Sequence, residues 1–259
     1  MAASTRLLDW LGTIVARQLQ KPTSGYEPYA AARPELVAMV IRPGDVLLVE
    51  GARSKINSTI RYLTQSTWSH ACLYVGLGAN LGERDGQPLV LIEAELGQGV
   101  IASPLSKFHT YNTRICRPIG LTPEDRTKVV QYAAKRIGYE YDVKNIIDLM
   151  RYFLPEPPVP ARWRRRMIAL GSGQPTRAIC SSLIAQAFES VGYPILPDIS
   201  RVDPLSRREI LHIRHHSLYT PRDFDISPFF AVVKPTIETG FDYKAMMWDN
   251  TPDAAEKTG

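Results

Sequence analysis

The sequence has few cysteines and lacks any long hydrophobic run. Its 259 residues contain only Cys72, Cys116 and Cys180, with no CxxC pair. Three cysteines cannot all pair with one another, so this pattern disfavours a disulfide scaffold and a structural zinc site, and it favours a reducing compartment. No stretch approaches the roughly 18 consecutive apolar residues of a membrane span, and Asp9 interrupts the only outline of a signal peptide. We therefore expect a cytoplasmic protein without a membrane span.

Motifs for nucleotides and nucleic acids are also lacking. The sequence contains no glycine-rich phosphate loop, no aromatic RNA-binding motif and no internal repeat. Its net charge of +5 is a small excess for a chain of this length, so we expect no nucleic-acid partner. Hydrophobic residues make up 44% and charged residues 22% of the chain, which is typical of a folded globular protein.

The pattern of strands and helices predicts an α+β fold. Short segments rich in β-branched and aromatic residues, bounded by Gly or Pro, predict strands. They cover residues 45–50, 71–76, 89–95, 114–119 and 229–234. Helical periodicity covers residues 55–63, 122–137 and 180–191. Because the strands cluster in the middle of the chain instead of alternating with helices, we expect one central sheet with helices packed against it.

The chain divides into an N-terminal arm, a main domain and a tail. Residues 1–40 predict an amphipathic helix followed by a linker, residues 41–240 the domain, and residues 241–259 the tail. Residues 149–175 predict an insertion on the domain, with four prolines in six residues followed by an Arg/Trp cluster.

Two basic or amphipathic segments lie outside the core pattern. A helix docked on the domain is the simpler interpretation of residues 1–20, and a membrane-surface anchor is the alternative. The arginines of the insertion predict a solvated excursion, or else a lid or a contact with an anionic surface. They are Arg162, Arg164, Arg165 and Arg166. The oligomeric state is open.

Cys180 is the most promising candidate for chemistry. It directly precedes an amphipathic helical pattern, and a thiol at a helix N-terminus lies near unpaired N–H groups that favour the thiolate. On its own, a cysteine in an apolar segment is more often a small buried side chain. A nucleophilic cysteine also needs a base and a group that orients the base.

His70 and a nearby acid could complete such a site. His70 begins a predicted strand in the segment TWSHACLYVG. In the strand LIEAE, alternation sends Glu93 and Glu95 to one face, so either could orient the histidine. A buried unpaired acid would be unfavourable, and a histidine partner would relieve that cost. Read alone, His70 could equally be a histidine of the core.

An ordered set of segments resembles a known enzyme family. RPGDVLLVEG, LTQSTWSHACLYVG, LIEAELGQGVIASPLSKF, RIGYEYD, AICSSLIAQAF and LYTPRDFDISPFFAVV follow one another along the chain. Together they resemble the permuted papain-like hydrolases of the NlpC superfamily, the YiiX-like group, over roughly residues 41–235. The resemblance implies a circularly permuted papain-like fold, with a central antiparallel sheet packed against the helix that carries the cysteine.

The resemblance also implies a mechanism and a set of site residues. Carried over position by position, it makes Cys180 the nucleophile, His70 the base and Glu93 the third residue, while Glu95 has no counterpart. It implies a cysteine peptidase or amidase that cleaves an amide through a thioester, without metal or organic cofactor. The substrate would be a cell-wall peptide, an N-acyl amino acid or a lipid-linked amide. An acyltransferase with the same thioester and a non-catalytic binding module are the alternatives.

We expect no catalytic role for the other histidines, cysteines and serines of interest. His109 predicts a loop histidine. His212 and His216 would share a face if their segment, which includes His215, were helical, but no further ligand joins them. Cys116 predicts a buried structural cysteine. Cys72 alternates in phase with His70 and could line the same face, and Ser181 and Ser182 are expected to serve the helix start.

Overall fold

A computed structural model describes the protein over most of the predicted domain. The described residues are 33–51, 66–95, 98–139, 179–201, 209–212, 219–240, 242 and 244. The predicted helices at 1–20 and 55–63, the insertion at 149–175 with its arginines, and most of the tail lie outside these residues. The predictions made for them stay predictions.

The described elements alternate irregularly between strands and short helices. The strands are β1 (Val46–Glu50), β2 (His70–Tyr74), β3 (Glu83–Arg84), β4 (Gln87–Glu95), β5 (Gly99–Pro104), β6 (Asn112–Pro118), β7 (Asp198–Arg201), β8 (Glu209–His212) and β9 (Phe230–Val233). The helices are α1 (Pro34–Val40), α2 (Pro123–Ala134), α3 (Ile179–Glu189), α4 (Pro221–Ile226) and α5 (Pro235–Glu238). Two 3₁₀ turns cover Leu77–Ala79 and Leu105–Phe108.

An antiparallel sheet of seven strands forms the centre of the described structure. Its strand order is β3-β4-β2-β1-β6-β9, and β5 pairs with β4. Every pairing in this sheet is antiparallel. Strands β7 and β8 form a separate antiparallel pair. The predicted α+β fold with a central antiparallel sheet is therefore confirmed.

Both faces of the sheet are covered, which explains the unbroken apolar run of β1. Alternate residues of that strand point to opposite sides: Val46 and Leu48 join one hydrophobic cluster, and Leu47 and Val49 join the other. A strand buried on both faces has no need of polar alternation. Helix α1 contributes the buried Val37 to the second cluster, so residues 34–40 of the predicted N-terminal arm pack on the domain.

Helix α3 packs on the first face of the sheet, against β2, β4 and helix α2. The predicted stripe of Leu183, Ile184, Ala187 and Phe188 is buried in the first cluster. Ala185 is buried as well, so α3 is covered on more than one side. This burial fixes the start of α3, and with it Cys180, against the sheet.

Local sequence signals account for several boundaries. Thr122 caps helix α2 by accepting a hydrogen bond from the N–H of Asp125, and Pro123 occupies the first turn. The turn before β1 needs Gly44, which has a φ of +90°. A Cβ at that position would lie 3.0 Å from Cγ of Arg126.

The structure departs from the sequence-based reading at four strands. Strands β3, β5, β7 and β8 were not anticipated, and His212 ends strand β8 instead of lying on a helix. The helical face suggested for His212 and His216 was therefore wrong at His212, and His215 and His216 lie outside the described residues. In the described part of the chain, no helix is long and apolar enough to cross a bilayer.

Candidate active site

His70 and Glu93 form a close pair on neighbouring strands. The register of β2 and β4 pairs Leu73 with Ile92 and Tyr74 with Leu91. The same register, continued along both strands, places Cys72 directly opposite Glu93. His70 lies two residues before Cys72 on the same face and is therefore the diagonal neighbour of Glu93, close enough for long side chains to meet. Nε2 of His70 lies 2.7 Å from Oε2 of Glu93. Because an ionised carboxylate only accepts hydrogen bonds, Nε2 is the donor and Nδ1 is left for another partner.

The residues just before His70 are anchored to the rest of the domain. Trp68 is buried, and its Nε1 donates to Oδ2 of Asp225 on helix α4 at 3.0 Å. The hydroxyl of Ser69 accepts from the N–H of Gly51 at 2.9 Å. His70 therefore begins its strand from a fixed position at the end of the sheet. Its side chain keeps 20% of its surface exposed, which leaves it accessible to a substrate.

Glu93 is fully buried and has partners on both carboxylate oxygens. Oε1 accepts from Nζ of Lys107 at 2.6 Å and from the hydroxyl of Ser103. Oε2 accepts from His70, and the thiol of Cys72 lies 4.0 Å from it. Burial alone would raise the pKa of Glu93, but the hydrogen bond and charge of His70, together with Lys107, lower it to about 2. Glu93 is therefore a carboxylate at neutral pH.

Cys180 lies in the first turn of α3 and faces His70. Burial would raise the pKa of this thiol, but the charge of His70 and a hydrogen bond with its ring lower it. Hydrogen bonds from the backbone N–H groups of Ala71 and Ser181 act in the same direction. The positive end of the α3 dipole adds to them. The site thus stabilises a thiolate at Cys180.

His70 is correspondingly stabilised in its charged form. Burial opposes its protonation, but the charge of the Cys180 thiolate and hydrogen bonds with Cys180 and Cys72 raise its pKa well above the ordinary value. A raised histidine pKa beside a lowered cysteine pKa is the mark of a thiolate–imidazolium pair. The carboxylate of Glu93 stabilises the same imidazolium from its other side.

The three cysteines differ sharply in their electrostatic surroundings. All three are free and buried. Burial and the charge of Glu93 raise the pKa of Cys72 to about 12, although His70 partly opposes this shift. Burial also raises the pKa of Cys116 well above its ordinary value, so that thiol is neutral and structural as predicted. Cys180 alone has the lowered pKa that a nucleophile needs.

The grouping of His70, Cys72 and Glu93 also has the spacing of a metal site. Their donor atoms all lie within 4.8 Å of one another. The donor set fits a metal poorly, because a metal-binding cysteine must lose its proton and Cys72 is held as a thiol. Lys107 also occupies one oxygen of Glu93, and its ammonium would repel a cation. The cluster is better suited to proton transfer than to metal binding.

Sequence reasoning missed Ser103, Lys107 and Phe108. All three follow from strand β5 and the 3₁₀ turn after it, which bring them over Glu93 and His70. The Phe108 ring lies 6.0 Å from the His70 ring at an angle of 43°. The segment SPLSKF carries no motif of its own, and the signal that could have found these residues was the β4–β5 hairpin.

The remaining candidates lie away from this cluster or serve the fold. His109 is exposed at the end of the 3₁₀ turn, as predicted. The hydroxyl of Ser181 donates to the backbone carbonyl of Tyr219 at 2.7 Å, which ties α3 to the segment before α4. Glu95 shares a face with Glu93, and Lys107 bridges the two acids.

A buried carboxylate, a histidine and a helix-start cysteine on such a sheet define a papain-like thiol hydrolase with permuted element order. In agreement with this, residues 40–153 match the model of a family described as permuted papain-like amidase enzyme, YaeF/YiiX, C92 family. Over these 114 of 259 residues the chain is similar to that family, which indicates an enzyme of the thiol hydrolase type. No curated protein matches the chain. The matched residues include His70 and Glu93 and end before Cys180.

Proposed function

We propose that the protein is a cysteine amidase in which Cys180 is the nucleophile, His70 the acid–base and Glu93 the orienting acid. The observation that carries the proposal is the His70 ring, which lies 2.7 Å from Oε2 of Glu93 and whose charge and hydrogen bonding lower the pKa of Cys180. The match to a family of amidases supports the amidase class, and the matched residues include two of these three side chains, His70 and Glu93.

The geometry supports a two-step reaction. In the first step, the Cys180 thiolate attacks the amide carbonyl, and the His70 imidazolium donates its proton to the leaving amine. This step forms a thioester and releases the amine. In the second step, neutral His70 takes a proton from water, the resulting hydroxide attacks the thioester, and the carboxylic acid leaves with the thiolate restored. Glu93 keeps the ring oriented and stabilises its charged form throughout.

The oxyanion formed in each step needs hydrogen-bond donors. The N–H groups of the first turn of α3 have no partner within the helix, and we expect the N–H of Cys180 to serve as one donor. The proposed substrate is a cell-wall peptide, an N-acyl amino acid or a lipid-linked amide. The three free thiols favour a reducing compartment, and we infer a cytoplasmic location, which cell fractionation would check.

The proposal can be tested without knowing the substrate. We expect iodoacetamide to alkylate Cys180 well below pH 8.5, the ordinary pKa of a cysteine being about that value. In His70→Ala, the midpoint of the pH profile should rise by about two units, because the thiolate loses its charged partner. Mass spectrometry of each cysteine against pH measures both profiles.

Cys72 and Cys116 serve as internal controls within the same chain. Both are buried with raised pKa values, so both should resist alkylation until the protein unfolds. A Cys180→Ala variant should also lose hydrolysis of p-nitrophenyl acetate, while the wild type releases a burst of nitrophenol as the thioester accumulates. If Cys180 reacts no faster than Cys72 at pH 7, the proposed nucleophile is wrong. A burst followed by acyl transfer to added glycine, without net hydrolysis, would favour an acyltransferase instead.

A further inference from the structure

We propose that Lys107 is a positioning residue of this site, which holds the Glu93 carboxylate turned so that Oε2 faces His70 and places a positive charge beside it. The inference rests on the proposed function, because it concerns how the Cys180–His70–Glu93 set is held. Lys107 contacts Glu93 and not the reacting atoms, so it acts through Glu93.

The two oxygens of Glu93 have divided roles. Oε1 accepts from the Lys107 ammonium at 2.6 Å and from the Ser103 hydroxyl. Oε2 accepts from His70 at 2.7 Å. A carboxylate held on one oxygen by two donors from β5 and its following turn cannot rotate freely about its last bond. The other oxygen therefore stays aimed at the histidine, as a well-supported site requires.

Lys107 is itself held in place by its surroundings. Its ammonium also pairs with Glu95, and it lies 5.4 Å above the Phe108 ring. The same ring contacts His70, so one aromatic side chain supports both cations of the cluster. Only 31% of the Lys107 side chain is exposed, and Glu93 has no exposed side-chain surface. This placement differs from a solvated surface pair such as Lys128 with Asp125, where 64% of the lysine is exposed.

The charges around Glu93 determine the direction in which removing Lys107 shifts the neighbouring pKa values. Glu93 faces His70 and Cys72 on β2 and Lys107 on the 3₁₀ turn, and Lys107 also faces Glu95 on β4. Cys180 on α3 faces His70. The charges therefore alternate from thiolate to imidazolium to carboxylate to ammonium. Removing the ammonium raises the pKa of the neighbouring acids, because their anions lose a stabilising charge.

The test compares the pH profile of Cys180 alkylation in Lys107→Met, Lys107→Arg and wild type. In Lys107→Met we expect the acid limb of the profile to move up by about one unit, so the alkylation rate on that limb falls about tenfold. Lys107→Arg keeps the charge and should restore the wild-type profile. A role confined to stability would lower the melting temperature and leave the profile in place.

Lys128→Met is the matched control, because it removes a lysine from an exposed ion pair on helix α2. It should change neither the profile nor the melting temperature. If Lys107→Met is poorly folded, Lys107→Gln retains a hydrogen-bond donor without the charge, and it should show the same upward movement. An acid limb identical in Lys107→Met, Lys107→Gln and Lys128→Met would overturn the inference.

The outcome also separates this inference from the proposed function. If wild-type Cys180 lacks an acid-shifted profile, the proposed nucleophile fails before Lys107 is considered. If wild-type Cys180 has that profile and loses it in His70→Ala, but Lys107→Met leaves it unchanged, the proposed function stands and the role of Lys107 is refuted.

Discussion

Two buried acids, Asp45 just before strand β1 and Glu93 on strand β4, show how similar ion pairs can serve different functions. Each is 1% exposed, and each accepts hydrogen bonds from a basic side chain, Arg117 on strand β6 for Asp45 and Lys107 on the 3₁₀ turn after β5 for Glu93. Burial raises the pKa of Asp45 even though Arg117 and Arg42 oppose that rise. The pKa of Glu93 is lowered to about 2, because His70 and Lys107 together outweigh its burial.

The difference lies in what each acid is connected to. The Asp45 carboxylate accepts hydrogen bonds from Nε and Nη2 of Arg117 at 2.8 to 3.2 Å. It also accepts one from the backbone N–H of Arg42 at 2.9 Å. Arg117 then donates to the backbone carbonyl of Val40, so this network closes on the main chain. The Glu93 network continues through the imidazolium of His70 to the thiolate of Cys180. A buried ion pair can do chemistry when a titratable group and a nucleophile extend it.

The largest expected effect concerns Asp45, and it is an effect on stability. Asp45→Ala leaves Arg117 without its carboxylate and removes the link between the turn before β1 and strand β6. Breaking such a buried pair from one side costs about 3–5 kcal/mol of the free energy of unfolding, which urea denaturation would measure. The pH profile of Cys180 alkylation should stay unchanged.

Asp125→Ala is the control for Asp45→Ala, since Asp125 forms an exposed pair with Lys128 and its loss should leave the urea midpoint nearly unchanged. If Asp45→Ala moved the pH profile of Cys180 alkylation as far as a substitution of His70 does, the two networks would be coupled. The claim that the Asp45 network serves stability alone would then be wrong.

The next effect concerns the acid dependence of stability, where the two acids act with opposite sign. The folded-state pKa of Glu93, about 2, lies below its ordinary value of 4.5. The stability that Glu93 contributes is therefore present above pH 4.5 and lost as the pH falls toward 2. The whole contribution amounts to about 3 kcal/mol. Glu93→Gln should remove this loss, so its urea midpoint should fall less than that of wild type between pH 5 and pH 2.5.

Asp45 provides the contrast for that experiment. Its folded-state pKa is raised above 3.8, so the folded protein binds this proton more readily than the unfolded chain does. The stability linked to Asp45 falls as the pH rises through the window just above 3.8. Asp45→Ala should thus steepen the loss of stability on acidification, whereas Glu93→Gln should flatten it. Equal slopes in both variants would contradict the assigned directions.

The two networks also differ in how much of them the sequence predicts. His70, Glu93 and Cys180 could be placed together, because strand alternation and a helix-start cysteine are local signals and the ordered segments resemble a family. Lys107 and Ser103 could not, since they reach Glu93 only through the β4–β5 hairpin. Arg117 reaches Asp45 across 72 positions of sequence, and only the pairing of β1 with β6 reveals that contact.

Strand β5 illustrates why such contacts escape a reading of the sequence. Its residues Gly99–Pro104 begin with a glycine and end with a proline, and its one polar side chain of note, Ser103, faces an acid on the neighbouring strand. The pattern that defines the strand is its pairing with β4, which is a tertiary property. Strand β1, in contrast, begins with four consecutive apolar residues, and this composition alone predicts a strand.

The smallest expected effect concerns Cys72, which lies next to Glu93 but is uncharged. Its pKa is raised to about 12, so it is a neutral thiol, and it lies 4.0 Å from Oε2 of Glu93, the distance of a weak contact. Cys72→Ala should cost about 1 kcal/mol of stability and change the Cys180 alkylation rate at pH 7 less than about threefold. Rates from mass spectrometry and a urea titration of the same samples give both values. A tenfold loss at Cys180 would make Cys72 a working member of the site, because a neutral side chain that merely fills space cannot shift a thiolate by that amount.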